Sequence, residues 1–188
     1  MSTQTENNIL PIHDIESAPE EGKKLLEQSE KAYGYIPNLH GVLAGSPQLL
    51  EAYQTMHSLI SNSSFDNDEL TVVWQSINVE HECHYCVPAH TAIAKMMKVD
   101  DKITDALRDK TELPSDKLEA LRTMTLAMVR KRGAVSKGEI EAFYEAGFSE
   151  ANLLDIILGI AQKTVSNYTN HIAETPLDQG FEKYAWKK

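Results

Sequence analysis

Two cysteines and a histidine are the residues of this chain best suited to chemistry. In "ECHYCVPAH" Cys83 and Cys86 stand three apart, His90 follows four residues after the second, and the sequence holds no other cysteine. A thiol attacks as its thiolate, and an ordinary pKa of about 8.5 leaves little of it ionised at neutral pH. A reactive cysteine therefore needs help. Pro88 is tolerated only in the first turn of a helix. That places Cys86 at or just before a helix N-terminus, where free N–H groups and the dipole favour an anion. His90 falls one turn further along the same face, close enough to exchange a proton with Cys86. Cys83 is within disulfide reach if the backbone turns there like a helix start. It can then condense with a sulfenic acid formed on Cys86, and an external dithiol must reduce the resulting disulfide. Such a cycle needs neither metal nor cofactor.

The same residues admit other chemistry. Cys83, Cys86 and His90 make three zinc ligands, with Glu80, His81, Glu82 or His84 as a fourth, although no second CxxC exists to complete a structural site. Two inert buried thiols are a third reading, against which the polar neighbours argue. A carboxylate behind His90 would fix its tautomer and raise its basicity; Glu69 and Glu80 are the candidates. His84 and Tyr85, between the cysteines, can tune the disulfide and shape its approach. His13, His40, His57 and His81 sit in ordinary contexts and read as incidental.

The elements that carry these residues are helical. Apolar residues recur at three and four in nearly every long segment and strand alternation is almost absent, so the chain is all-α. Ser17 or a neighbour caps a first helix, "PEEGKKLLEQSEKAY", and "GYIPN" ends it. "SPQLLEAYQTMHSLI" has Ser46 as a cap and Pro47 at the first helical position. "NDELTVVWQSINVEH" is apolar through Leu70 to Val79, which fits burial on several sides or an oligomer interface. "SDKLEALRTMTLAMVRKRG" ends near Gly133, with "RKR" completing its dipole. A short helix starts at about Ser136, Gly147 turns the chain, and a long helix follows from about Ser149. Phe181, Tyr184 and Trp186 read as an anchoring turn. Residues 1–30 form an N-terminal segment with the first helix, and 31–188 a single helical domain. A degenerate repeat over 150–171 sets Thr164, Asn167 and His171 at the spacing of Cys83, Cys86 and His90. On that reading Asn167 and His171 are accessory site residues.

Composition removes some partners. The chain has 188 residues, 41% of them hydrophobic, and a formal net charge of -10. Dispersed basic residues on an acidic chain make nucleic acid and anionic membranes poor partners. No apolar run approaches a membrane span and the start lacks a leader pattern, so a cytoplasmic location is expected. In a reducing cytosol a permanent structural disulfide is not expected.

"CHYCVPAH" resembles the CxxCxxxH motif of the alkylhydroperoxidase D-like proteins, in the wider carboxymuconolactone decarboxylase-like superfamily. "GYIPNLHGVLAGSPQLLEAY" before it and "LRTMTLAMVRKRGAVS" with the long helix after it are similar to a peroxidase-related branch. The resemblance covers roughly residues 30 to 186. It implies an all-α helical bundle and a homo-oligomer, trimer or hexamer. It further implies hydroperoxide reduction, with Cys86 as peroxidatic cysteine, Cys83 resolving and His90 relaying protons. A dithiol or lipoyl-type protein would be the reductant. The family's relay glutamate normally stands twelve residues before the first cysteine, where this chain has Thr71. Glu80 or Glu69 is expected to substitute, with Glu80 favoured by its closeness to the motif. The histidine often found before the second cysteine is replaced by Tyr85, with His84 one place earlier. The superfamily also contains cofactor-independent lyases, a reading against which a redox-active CxxC counts.

Overall fold

The computed structural model describes residues 9–187, so the expectations for residues 1–8 and Lys188 lie outside the described residues. Among these residues the elements are α1 (Glu20–Tyr33), α2 (Asn38–Leu43), α3 (Pro47–Ser61), α4 (Asn67–Glu80), α5 (Cys86–Met96), α6 (Asp101–Asp109), α7 (Asp116–Lys131), α8 (Lys137–Glu145) and α9 (Glu150–Ala173), followed by a 3-10 turn at Gln179–Tyr184. No strand is present among them. The expected domain boundary at residue 30 falls inside α1, which packs on α2 and α3 and so belongs to the same helical unit.

Local sequence explains most helix starts. Asp66, Ser136 and Ser149 each close a reciprocal capping box with the residue three positions on, satisfying orphan N–H groups at both partners. Pro47 occupies the first turn of α3, though the expected cap Ser46 makes no side-chain bond. Ser17 does not cap α1, whose N-cap is Pro19; its hydroxyl instead bonds Asp14. Gly147 turns between α8 and α9 at φ 94°, a left-handed geometry that favours glycine.

α4 is the central element. It packs against α5, α6, α7 and α9, and every residue from Glu69 to Val79 is buried within this one chain. The expected interface role for Leu70 to Val79 is therefore corrected. The helix is capped, and its apolar girdle is spent on the internal core. Apolar residues stay exposed instead along α9, at Leu154, Ile157, Tyr168 and Ile172.

The interior divides into two apolar clusters. One joins α4, α6, α7, α8 and the first half of α9 through Val72, Val73, Ile77, Leu121, Phe143 and Ile156. Close approach of α9 to α4 depends on Gly159, where a Cβ would sit 2.9 Å from Val73 Cγ1. The other joins α1, α2 and α3 to Cys83, Tyr85, Cys86 and Ala89. The cysteines thus lie in the second cluster, closed below by the expected anchoring turn. Phe181 meets the Tyr85 ring edge-on, and Trp186 Nε1 donates to Arg108 O at 3.2 Å. No helix among the described residues is long and apolar enough to cross a membrane.

Candidate active site

Cys86 is the first residue of α5, and Pro88 lies in that helix's first turn, where it displaces no hydrogen bond. The chain reaches α5 through Glu82 at φ 53° and then Cys83, whose sulfur accepts the Cys86 N–H at 3.3 Å. Both thiols are free and buried. They are not equivalent. Cys86 lines a cavity of about 710 Å³, whereas Cys83 does not. Asn170 Nδ2 donates to Cys86 Sγ at 3.2 Å.

Burial raises the Cys86 thiol, but the Cys83 thiol, the Lys163 ammonium, Ser166 and Asn170 together outweigh it. The net value falls below the ordinary thiol range. Cys83 moves the other way: its hydrogen bond to Cys86 and its burial both favour the protonated form. The arrangement favours ionisation at the sulfur that faces the cavity and the protonated form at the sulfur behind it.

His90 lines the same cavity from α5. Its Nε2 lies 2.8 Å from Lys163 Nζ. An ammonium can only donate, so Nε2 accepts and the ring proton is assigned to Nδ1, which is buried without a partner. Burial, with the Lys163 charge and His57 after it, holds His90 well below its usual range. The ring is neutral at pH 7.

Neither expected carboxylate stands behind it. Glu69 is consumed at the start of α4, where it accepts the Asp66 N–H at 3.1 Å and pairs with Lys117 at 2.6 Å. Glu80 faces α7 and takes both arms of the Arg130 guanidinium at 2.7 Å. That hydrogen bond, with burial opposing it, keeps Glu80 below the usual carboxylate range. Thr71, at the position the resemblance assigns to a glutamate, turns its hydroxyl onto its own helix at Asn67 O. The polar group that meets His90 is Lys163.

The accessory residues scatter. Tyr85 is buried and donates its hydroxyl to Asp178, tying the motif to the C-terminal turn. His84 is exposed and bonds Thr175 O at 3.0 Å. Asn167 joins a buried amide chain beneath the cysteines. It accepts at 2.9 Å from His81 and donates at 3.0 Å to Asn78, which in turn bonds Gln75 and Cys86 O. His171 is exposed on α9. The repeat therefore does not carry into the site: α9 is unbroken where the cysteine motif bends, and Lys163, Ser166 and Asn170 approach Cys86 in place of the Thr164–Asn167–His171 register.

Sequence reasoning missed Lys163, His57 and His40, and with them Ser166 and Asn170 at the Cys86 thiol. Lys163 is fully buried, and its signal was a lysine on the stripe Ile156, Gly159, Lys163, Ser166, Asn170. His57 and His40, read as incidental, both line the cavity. His57 stacks on Trp74 at 5.6 Å between centroids, and Trp74 meets His90 at 4.8 Å. Burial lowers both histidines to about 4, helped by Lys163 at His57 and by His57 at His40. Among the described residues no cluster of His, Cys, Asp and Glu is arranged to hold a metal. In the zinc reading, Lys163 occupies the nitrogen that His90 would offer.

No family model and no curated protein matches this sequence. Solved structures do. The chain superposes on the alkylhydroperoxidase AhpD core of an uncharacterised peroxidase-related protein from Ralstonia eutropha JMP134 with a TM-score of 0.80 at 20% identity, over 95% of this chain and 96% of that one. A peroxidase-related protein from Silicibacter sp. TM1040 gives 0.77 at 19%, over 96% and 97%. A variant of the debrominase Bmp8, in complex with 2,3,4-tribromopyrrole, gives 0.75 at 15%, over 96% and 97%. The chain has the all-helical alkylhydroperoxidase D-core fold. The likeness expected from "CHYCVPAH" thus extends to the tertiary structure of peroxidase-related proteins.

Proposed function

We propose that this protein is a dithiol oxidoreductase that reduces a hydroperoxide. One observation carries the reading: the Cys86 sulfur lines the cavity and accepts from Asn170, while the Cys83 sulfur lies outside the cavity, 3.3 Å from the Cys86 N–H. Cys86 sulfur attacks the terminal peroxide oxygen, and the O–O bond breaks. The leaving alkoxide takes a proton through His90 and departs as an alcohol, leaving Cys86 sulfenic acid. Cys83 then attacks that sulfur, water leaves, and a disulfide closes. An external dithiol, of protein or lipoyl type, returns two electrons and two protons. The cavity is far larger than hydrogen peroxide needs, and its walls include Tyr33, Leu39, Tyr53, Ile93 and Phe181. These walls favour an organic hydroperoxide with an apolar or aromatic body. The homo-oligomer implied by the resemblance belongs to the same reading, with the exposed α9 stripe as the surface it would bury.

The test is a titration of reduced protein with one equivalent of cumene hydroperoxide, followed by free-thiol counting and intact mass. The expected outcome is loss of both thiols and of two hydrogens in the parent, and a trapped sulfenic acid in Cys83→Ser. Thiols that survive unchanged in the parent overturn it.

A second reading has one supporting observation. The debrominase shares this fold and binds a halogenated pyrrole, and the aromatic walls of the cavity suit a planar ring. The Cys86 thiolate would take the bromine, forming an S–Br bond as the ring–bromine bond breaks and the ring carbon takes a proton. Cys83 would then displace bromide to close the disulfide, which the external dithiol reduces, and bromide release from a brominated pyrrole would reveal it.

A further inference from the structure

Lys163 is a charged side chain with no exposure, and burying an ammonium is costly unless an anion neutralises it. The groups facing it are His57 and Tyr53 from α3, and Cys83, Cys86 and His90 from the motif. None is a carboxylate. Burial pushes the ammonium down, and only the two thiol groups push it back up. No carboxylate among the described residues pairs with Lys163, so the Cys86 sulfur, which lines the same cavity, is the group left to balance its charge.

We propose that Lys163 is the proton reservoir of the dithiol cycle, charged when Cys86 is a thiolate and neutral once the disulfide has formed. The inference rests on the dithiol reading and deepens it. Oxidation removes the thiolate charge, so the ammonium loses its only anion and gives up a proton. The path starts where Nζ donates to His90 Nε2 at 2.8 Å, and in this proposal the partnerless Nδ1–H passes its own proton to the leaving oxygen. The balance closes. Thiolate, thiol, ammonium and ROOH yield disulfide, amine, ROH and water, with no proton drawn from solution. If Lys163 stayed charged, each disulfide would take up one proton. Lys163 fixes the His90 tautomer, as a carboxylate was expected to do, but it lowers the ring's basicity where a carboxylate would raise it.

The experiment uses diamide as oxidant, so it does not depend on peroxide being the substrate. Reduced full-length protein in weakly buffered solution near neutral pH is oxidised stoichiometrically, and proton uptake is read with a pH indicator. Iodoacetamide alkylation reports the thiolate. The parent is expected to show a thiolate and no proton uptake. Lys163→Arg, whose charge cannot be shed, is expected to keep rapid alkylation yet take up one proton per disulfide. Lys163→Met is expected to slow alkylation at mildly acidic pH by at least about tenfold. One proton taken up per disulfide in the parent overturns the proposal, as does a Met variant that alkylates at the parent's rate. If hydroperoxide proves inert while these results hold, the substrate assignment falls and the proton reservoir stands.

Discussion

The two halves of α9 press the same stripe into the molecule with different chemistry. From Leu153 to Gly159 the inward positions are Ile156 and Gly159, flanked by half-buried Leu153 and Leu158, and they close the apolar cluster around α4. From Gln162 to Asn170 the inward positions are Gln162, Lys163, Ser166, Asn167 and Asn170, all buried and all polar. Apolar burial dominates the first half beyond its cap, where Asn152 bonds Ser149 and Ser64. The second half is tolerable only because its groups find partners: His90 for Lys163, Asn78 and His81 for Asn167, the Cys86 sulfur for Asn170. A buried polar stripe on a core helix thus marks where this fold exchanges packing for chemistry.

The comparison breaks most directly at Ile156, which is fully buried. Ile156→Ala is expected to cost about 2–5 kcal/mol in urea unfolding, while the pH profile of Cys86 alkylation stays where it was. A shifted profile would mean that the halves are not separable. Asn170→Ala strikes the other half. A hydrogen bond to a charged group contributes about 1.5–3 kcal/mol, so at a given pH below the midpoint alkylation should slow by at least about tenfold, with a smaller loss of global stability.

Acid should sharpen the contrast. The neutral forms of His40 and His57, facing the polar half, are held down to about 4 from an ordinary 6.5. Above 6.5 both folded and unfolded chains carry them neutral. As pH falls towards 4, the unfolded chain binds protons that the native state refuses, so stability drops through that window. Urea midpoints measured across it should fall, and His57→Gln should flatten the slope. The smallest effect belongs to Glu80→Gln. Its pairing with Arg130 is largely exposed, so a loss of about 0–1 kcal/mol is expected, with no change in alkylation or in peroxide turnover. A large change in turnover would return Glu80 to the site.

Much of the site was legible because it is local. Cys83, Cys86, Pro88 and His90 lie within one helix start, where capping, the ban on proline in a helix interior and the 3.6-residue period decide geometry over a few residues. The helix starts at Ser136 and Ser149, the buried run of α4 and the C-terminal anchor are legible for the same reason, whereas the Asp66 cap of α4 was not read. Glu80 was misread because proximity in sequence was taken for proximity in space, and Glu69 because it lies two residues from the position that the resemblance assigns to a glutamate. They sit at opposite ends of α4, and Lys117 and Arg130, from another helix, claim them.

What the sequence by itself determined is the order and spacing of the reactive groups and the helices that carry them. Only the tertiary structure decided which thiol faces the cavity and which cation stands behind His90. Lys163 lies 73 residues from His90, and Asn170 lies 84 from Cys86. Periodicity shows that such residues share a buried face, but not which helix that face will meet. That is settled by the packing of α9 on α3, α4 and α5, through many weak contacts that no local rule encodes.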